Sequence, residues 1–417
     1  MPFSYGSAAA RDPRRRSPSL DGHSGLEDLF QKHIELEEDV DDETWDVKPL
    51  FFDEEVEADY AAMRAERMER EAEKKKREEE ERKREAEDTK REEAKIAWRR
   101  EKHKSVINSI REFDRKSKTI VWTRFPFEDF SKFDLDEESA IPPMRHTAVK
   151  YEKGCIMYWS ANILSIKIVS SDVGFPINVY GTVIARDSLD SKCIYLFRCN
   201  RRDSQFIKTE GESLILVGPS RGFILQDFIF LEVNLKIKID QGKEKTLSKG
   251  LLQIDGRVVT RQDIEVRTLS HASWYSKLEV HYIAVKKAVE ATIEFRVLQG
   301  DFCGKIKAHT TSIPLKNKML LYHSNRGGVV TSDGGGTIQL WRPVVTVSLH
   351  DMLLFTIVTL TQADNDGTAE TPIIKNKRII EFTPKLYDAD QDEIYCGSVK
   401  FHVKVTWSLV DRSNLVM

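Results

Sequence analysis

The chain has 417 residues, 32% of them charged and 40% hydrophobic, and its 65 Lys and Arg nearly cancel its 68 Asp and Glu. A formal charge of −3 excludes a uniformly basic nucleic-acid binder and a uniformly acidic solvating chain. The charged share exceeds the roughly 25% of ordinary globular proteins, so the excess must be concentrated somewhere.

Residues 1–53 read as a disordered acidic arm. The first 25 are rich in Ser, Arg, Pro and Gly, too poor in large apolar groups to offset the entropy of ordering. The run Arg14–Arg15–Arg16–Ser17–Pro18 fits a phosphorylation site or a minor basic address. Leu26, Leu29, Phe30, Ile34 and Leu36 stand near helical spacing, which predicts a short amphipathic helix. An acidic stretch carrying Trp45, Leu50, Phe51 and Phe52 follows, and residues 1–63 sum to a net charge of about −11. Such a segment suits either a partner's groove or the chain's own C-terminal part.

Residues 54–115 are expected to form a charged single helix or a coiled-coil-like segment. Between Arg64 and Lys95 there is no Gly or Pro, and almost every residue is Glu, Lys, Arg or Ala, all good helix formers. Acid precedes base by four residues at Glu66–Arg70, Glu71–Lys75, Glu73–Arg77, Glu78–Arg82, Glu79–Lys83, Glu80–Arg84 and Glu87–Arg91. Each such pair stabilises a helix by about 0.2–0.5 kcal/mol. Met68 is the only large apolar residue in the central turns, so no heptad seam exists and a solvated single helix is the reading adopted. The clusters Lys74–Arg77 and Arg82–Arg84 are split by Glu78–Glu81, which leaves no clean basic face for nucleic acid. Apolar character returns at Ile96, Trp98, Val106, Ile107, Ile110 and Phe113, where the helix is expected to pack.

Residues 116–160 are taken as a leader packing on residues 161–412, a β-rich domain of sandwich or barrel type. Val233, Leu235, Ile237 and Ile239 alternate with polar residues, as do Val289–Val297 and Val399–Trp407, the pattern of half-buried strands. Runs at 163–169, 178–185, 193–198, 213–217, 344–349 and 354–360 add shorter strands. About a dozen strands without intervening helices argue for an all-β sandwich or barrel. One large β domain is expected, with two smaller units divided near 262–275 as the alternative.

Chemistry is sparse. Gly327–Gly328 and Gly334–Gly336 lack the Lys-Ser/Thr of a phosphate loop and read as turns. Asp388, Asp390, Asp392 and Glu393 form D-x-D-x-D-E and are the weak calcium candidates; Asp364, Asp366 and Glu370 make a second acidic group. Calcium favours oxygen-rich loops, but neither run fits the helix–loop–helix pattern, and solvated loops are the plainer reading. Ten histidines show no H-E-x-x-H or close pair, and no G-x-S-x-G elbow marks a nucleophile. His281 and His402 fall at polar-facing strand positions. Trp274, Tyr275 and Trp341 have the aromatic faces that stack on sugars, though packing is the plainer use. Five scattered cysteines (155, 193, 199, 303, 396) form no C-x-x-C and suggest reduced thiols. No apolar run approaches the ~20 residues that cross a bilayer, and no secretory signal is visible. These features predict an intracellular protein, cytoplasmic or nuclear.

Several strings carry a resemblance: NILSIKIVSSDVGFPINVYGTVIARDSLDSKCIYLF (162–197), LEVNLKIKID (231–240), KAVEATIEFRVLQGDFCGKIKAHTTSI (287–313), GTIQLWRPVVTVSL (336–349) and CGSVKFHVKVTWS (396–408), with TRFPFEDFSKFDLDEESAIPPMR (123–145) as leader. They resemble the plant, mainly grass, family known as domain of unknown function 6598, over about residues 123–412. The resemblance implies a β-rich fold and no established catalytic residue. Similar domains in some grass proteins are associated with ribosome-inactivating N-glycosylase modules, whose own α+β fold carries a catalytic E-x-x-R before a Trp. Here E-x-x-R occurs only by chance within the charged helix and no such fold precedes the β domain, so that activity is not implied.

The expected function is therefore a non-enzymatic protein-interaction or scaffold role, with a protein partner and with no cofactor, nucleic acid or membrane. The alternatives are an enzyme or toxin-like module acting on RNA or glycan, or a calcium- or carbohydrate-binding β-sandwich.

Overall fold

Glu, Lys, Arg and Ala carry one uninterrupted helix, α1, over Glu54–Ser109. The computed structural model describes residues 54–127, 129–130, 133–148, 157–239, 243–259, 265–360 and 374–411. The acidic arm, the short helix expected at 26–36 and the acidic group Asp364, Asp366 and Glu370 lie outside them.

The chain divides into two units, Met1–Asp88 and Thr89–Met417. In the first, every described side chain of α1 is exposed, Met68 to 68%. Glu66–Arg70, Glu73–Arg77 and Glu79–Lys83 close at 2.5, 3.4 and 2.8 Å as the spacing predicts. Glu71 and Glu78 turn instead to Arg67 and Lys74 one turn before them. Both choices lie within the same i, i+4 reach, so composition fixes the helix without fixing each pair.

In the second unit α1 ends six residues short of the expected 115. Two strands follow, β1 (Arg111–Asp114) and β2 (Thr119–Trp122), paired as a hairpin. Asp114 drives the turn. Its carboxylate accepts the backbone N–H groups of Lys116 and Ser117 at 3.0 and 3.2 Å and that of Trp274 at 2.8 Å. Burial raises its pKa, but these donors overcompensate and hold it below the usual value. Of the apolar residues expected to pack at the helix end, Val106, Ile107 and Ile110 meet Phe125, Phe127, Phe130 and Leu135 of the leader, whereas Ile96, Trp98 and Phe113 are exposed.

The rest is antiparallel sheet in two successive sandwiches. The first comprises β3 (Ser160–Ser171), β4 (Ile177–Arg186), β5 (Ile194–Cys199), β6 (Gln205–Ile207), β7 (Phe228–Lys238), β8 (Glu244–Asp255), β9 (Val266–Ser273) and β10 (Ser276–Val285). One sheet runs β5-β4-β7-β8, with β6 also on β4; its mate runs β3-β10-β9. Ile163, Ile166, Val179, Val183, Leu231, Val233 and Leu278 fill the space between them. The strand expected at 213–217 is absent: Ser213 makes only an isolated bridge to Lys167, and Leu214 and Val217 donate their N–H groups to the Ile166 and Leu196 carbonyls without forming a ladder.

The second sandwich comprises β11 (Ala288–Gln299), β12 (Asp301–Phe302), β13 (Gly304–Thr310), β14 (Met319–His323), β15 (Val330–Thr331), β16 (Thr337–Ile338), β17 (Val344–Ser348), β18 (Leu353–Leu360), β19 (Ile374–Phe382), β20 (Asp388–Cys396) and β21 (Val399–Leu409). Its sheets run β16-β11-β21-β20, with β17 also on β11, and β14-β13-β18-β19. Phe295, Phe302, Phe355, Phe401 and the fully buried Trp407 make its core. The two cores change over between Val285 and Ala288, later in the chain than the 262–275 division considered from sequence. β9 and β10 form one hairpin in the first sandwich, so a break there would split a paired unit.

The leader is bolted on by buried ions. Glu232 of β7 accepts Arg186 Nε at 2.6 Å, Arg124 Nε at 3.0 Å and the Phe125 N–H at 2.9 Å. Arg186 and Arg124 both also donate to the Leu135 carbonyl, at 2.6 and 2.5 Å. Glu290 of β11 accepts the N–H groups of Met144 at 2.7 Å and Gly222 at 2.6 Å, tying leader, first sandwich and second sandwich together.

Candidate functional site

Alternation on β13 buries Ile306 and Ala308 and turns Lys305 and Lys307 outward. The register then sets Lys305 opposite Val358 of β18, and Val358 opposite Lys377 of β19. In the next row Lys307 faces Thr356, and Thr356 faces Ile379. Lys318 reaches in just before β14, its Nζ donating to Thr356 Oγ1 at 2.9 Å. His323 of β14 stands opposite Lys305. Four ammonium groups thus share the outer face of one sheet. Among the described residues none of the four is ion-paired. Glu381, opposite Leu354 in the following row, is the carboxylate nearest by register.

The electrostatics agree. Burial, then the Lys305 charge, pushes the Lys307 pKa down. Burial, then Lys377 and Lys307, does the same to Lys318. His323 is pushed down to about 4 by burial and by Lys305 and Lys307. Its Nδ1 accepts the Asn325 N–H at 3.1 Å, which requires the neutral ring. Each of these groups is depressed first by burial and then by neighbouring positive charge, and that second contribution favours a negatively charged partner. Leu320, Leu354, Val358 and Ile379 lie among the lysines and add apolar surface. The sequence held half of this signal, the Lys-Ile-Lys alternation at 305–307. The other cations come from strands remote along the chain.

The residues singled out from sequence are placed differently. Asp388, Asp390, Asp392 and Glu393 lie on strand β20, not in a loop. The three aspartates share one row, opposite Trp407, Val405 and Val403, and Glu393 falls on the other, opposite His402. Alternate residues of a strand stand about 6.6 Å apart, which spreads the carboxylates along the edge. Asp390 accepts Trp407 Nε1 at 2.9 Å and Lys385 Nζ at 2.5 Å; Glu393 pairs with Lys400 at 2.6 Å. Among the described residues no group of three or more His, Cys, Asp or Glu is placed to hold a metal ion.

Gly327 ends a helical turn over Ser324–Gly327, while Gly334–Gly336 turn the chain into β16. Gly336 has φ +65°, and a Cβ there would meet the Val297 carbonyl oxygen at 2.1 Å, so only glycine fits. His281 Nδ1 lies 3.2 Å from Ser165 Oγ, and burial depresses its pKa. Trp274 and Tyr275 form the β9–β10 turn, with Lys245 Nζ 3.4 Å from the Tyr275 ring centre. Half-buried Trp341 stacks near Tyr322 with ring centres 6.2 Å apart. The described cysteines, Cys193, Cys199, Cys303 and Cys396, are free thiols.

One groove combines groups of catalytic type: a volume of about 330 Å³ over β11 and β16, lined by Glu294, Arg296, Gln339 and His402 among others. Glu294 lies 3.6 Å from Lys404, and His402 lies 3.3 Å from Gln391 Oε1. No described helix is long and apolar enough to cross a membrane.

No curated protein matches the chain. Among solved structures, human GIVD cytosolic phospholipase A2 is 8% identical over 60% of this chain and 32% of its own, with a TM-score of 0.19. A pair of C2 domains from extended synaptotagmin 2 is 7% identical over 66% of this chain and 100% of its own, with a TM-score of 0.20. The chain thus spans only about a third of the phospholipase, and likenesses this slight carry no argument about fold or activity. The family model is different in kind: it describes a domain of unknown function (DUF6598) and matches residues 160–405, well over half of the chain and both sandwiches. The protein belongs to that family.

Proposed function

We propose that this is a non-enzymatic interaction protein whose lysine face on β13, β14, β18 and β19 binds an acidic stretch of a partner protein. The observation that supports this most is the set of four ammonium groups with no carboxylate of the described chain paired to them. Like charges gathered on a folded surface cost stability, and an anionic partner relieves that cost. The interleaved apolar side chains favour a polypeptide over a bare polyphosphate. The charged helix α1 adds an exposed surface without a seam of its own and suits a spacer or a partner helix.

The test is titration of the full-length chain with poly-L-glutamate and with single-stranded RNA. Polyglutamate is expected to bind, to be released by added salt, and to weaken by about tenfold in Lys307→Glu/Lys377→Glu. Tighter binding of RNA, or equal binding by the variant with its melting temperature unchanged, would overturn the reading.

A further inference from the structure

The edge of the same sheet adds a second level of recognition. β19 is the outermost strand of β14-β13-β18-β19, and among the described residues only β18 pairs with it. Its nine residues, Ile374–Phe382, present a row of backbone N–H and C=O groups about 30 Å long. Strand edges of this length invite another strand. The opposite edge is a poorer platform: β14 has five residues and short helical turns at both ends.

The side chains along β19 filter what can add. Lys375, Lys377 and Arg378 are exposed, and so are Ile374 and Ile379, at 62% and 49%. Lysines on an edge repel a second β19 and so block self-pairing through this strand. The same charges attract a strand whose outward residues are Asp or Glu. Lys377 belongs both to this edge and to the lysine face, which makes the two surfaces continuous.

We propose that an extended acidic segment of a partner protein adds to the sheet as a strand along the open edge of β19, its carboxylates meeting Lys375 and Lys377 on the lysine-bearing face. The proposal rests on the acidic-partner reading and sharpens it. Main-chain hydrogen bonds give the affinity, and the cations select the sequence.

The test uses the full-length protein and an acetylated nonapeptide of alternating Glu and Val. Two further peptides carry N-methyl groups on every Glu or on every Val. A strand offers its N–H groups to its neighbour at alternate residues only. One methylated peptide should therefore bind at least about tenfold more weakly, and the other nearly as well as the parent. Amide exchange of β19 should slow when the parent peptide binds. If both methylated peptides bind like the parent, strand addition is wrong while the lysine-face reading stands. If polyglutamate binds and the peptide does not, strand addition is again wrong. If neither binds, both readings fall. Protection of the β19 amides in a self-associated chain without peptide would assign the edge to a second copy and overturn the proposal.

Discussion

Asn162 of β3 and Thr346 of β17 join the two sandwiches by exchanging two buried hydrogen bonds, Asn162 Nδ2 to the Thr346 carbonyl at 2.6 Å and the Thr346 N–H to Asn162 Oδ1 at 3.0 Å. The side-chain amide imitates one rung of a β-ladder where the two sheets themselves do not pair. Asn162→Ala leaves a buried donor and a buried acceptor unpaired at once. A loss of about 2–4 kcal/mol is expected in urea unfolding. A loss below about 1 kcal/mol would mean that the seam is held by apolar contact alone.

Four residues before Thr346, Arg342 is buried with an unusual lack of partners. Its Nη1 donates to the Ile163 carbonyl at 2.5 Å, while Nε and Nη2 have no partner among the described residues. Burial pushes its pKa down to about 10. A folded-state pKa below the unfolded one means that the cation is a cost at every pH under about 10. That cost is relieved only as the group deprotonates above it. Arg342→Met should be neutral or stabilising by about 1–4 kcal/mol in thermal melts near neutral pH. A loss of about 3 kcal/mol or more would reveal a counter-ion for the guanidinium.

Glu290 gives the opposite pH signature to an ordinary ion-paired carboxylate. Burial raises its pKa above 4.5, against the lowering by the two backbone donors from Gly222 and Met144. The folded state therefore holds this proton more tightly, and stability falls as pH climbs from 4.5 through the raised value. In Glu290→Gln that slope should disappear. The variant should gain on the parent as pH rises through this window, read as urea midpoints. A constant difference across the window would show that Glu290 titrates normally.

His323 reports on the lysine face from within. With its pKa near 4, the ring should stay neutral through pH 5 in NMR titration. Lys307→Gln removes one of the nearby positive charges and should raise that pKa while leaving burial in place. No movement would mean that burial acts alone and that the lysines are not near enough to share an anion.

The exposed ion pairs of α1 predict salt sensitivity. A peptide covering 57–101 should be helical and monomeric, and its helical signal should fall between low and molar salt as screening shortens to about 3 Å. A dimer in sedimentation would point to a paired helix.

Much of this architecture was readable in the chain. Period-two patterns at 233–239, 289–297 and 399–407 became β7, β11 and β21, because one face of each fills a core, while the polar face is wet along only part of its length: Glu232, Glu290, Thr292 and Thr406 are buried. β20 was missed because Asp, Gln and Glu are poor strand formers; here Ile394 and Cys396 pack inward while the aspartates run along the rim. The 111–122 hairpin was hidden by charged residues that continue the helical composition, and its cause, the Asp114 turn, depends on Trp274 far along the chain. The lysine face was only half legible for the same reason. Lys305 and Lys307 adjoin Lys318 and Lys377 only after three strand pairings bring them together.

The Glu232 junction has a practical consequence for where the protein can be cut. A fragment beginning at Ser160, where the family match starts, would keep Arg186 and Glu232 but lose Arg124, Phe125 and Leu135 that cover and complete them. Water would enter a site that now contains only 1% and 4% exposed side chains, and Phe230 would lose its stacking partner Phe125. The packed unit is therefore larger than the stretch that the family model matches. It begins in the last turns of the charged helix, near Val106.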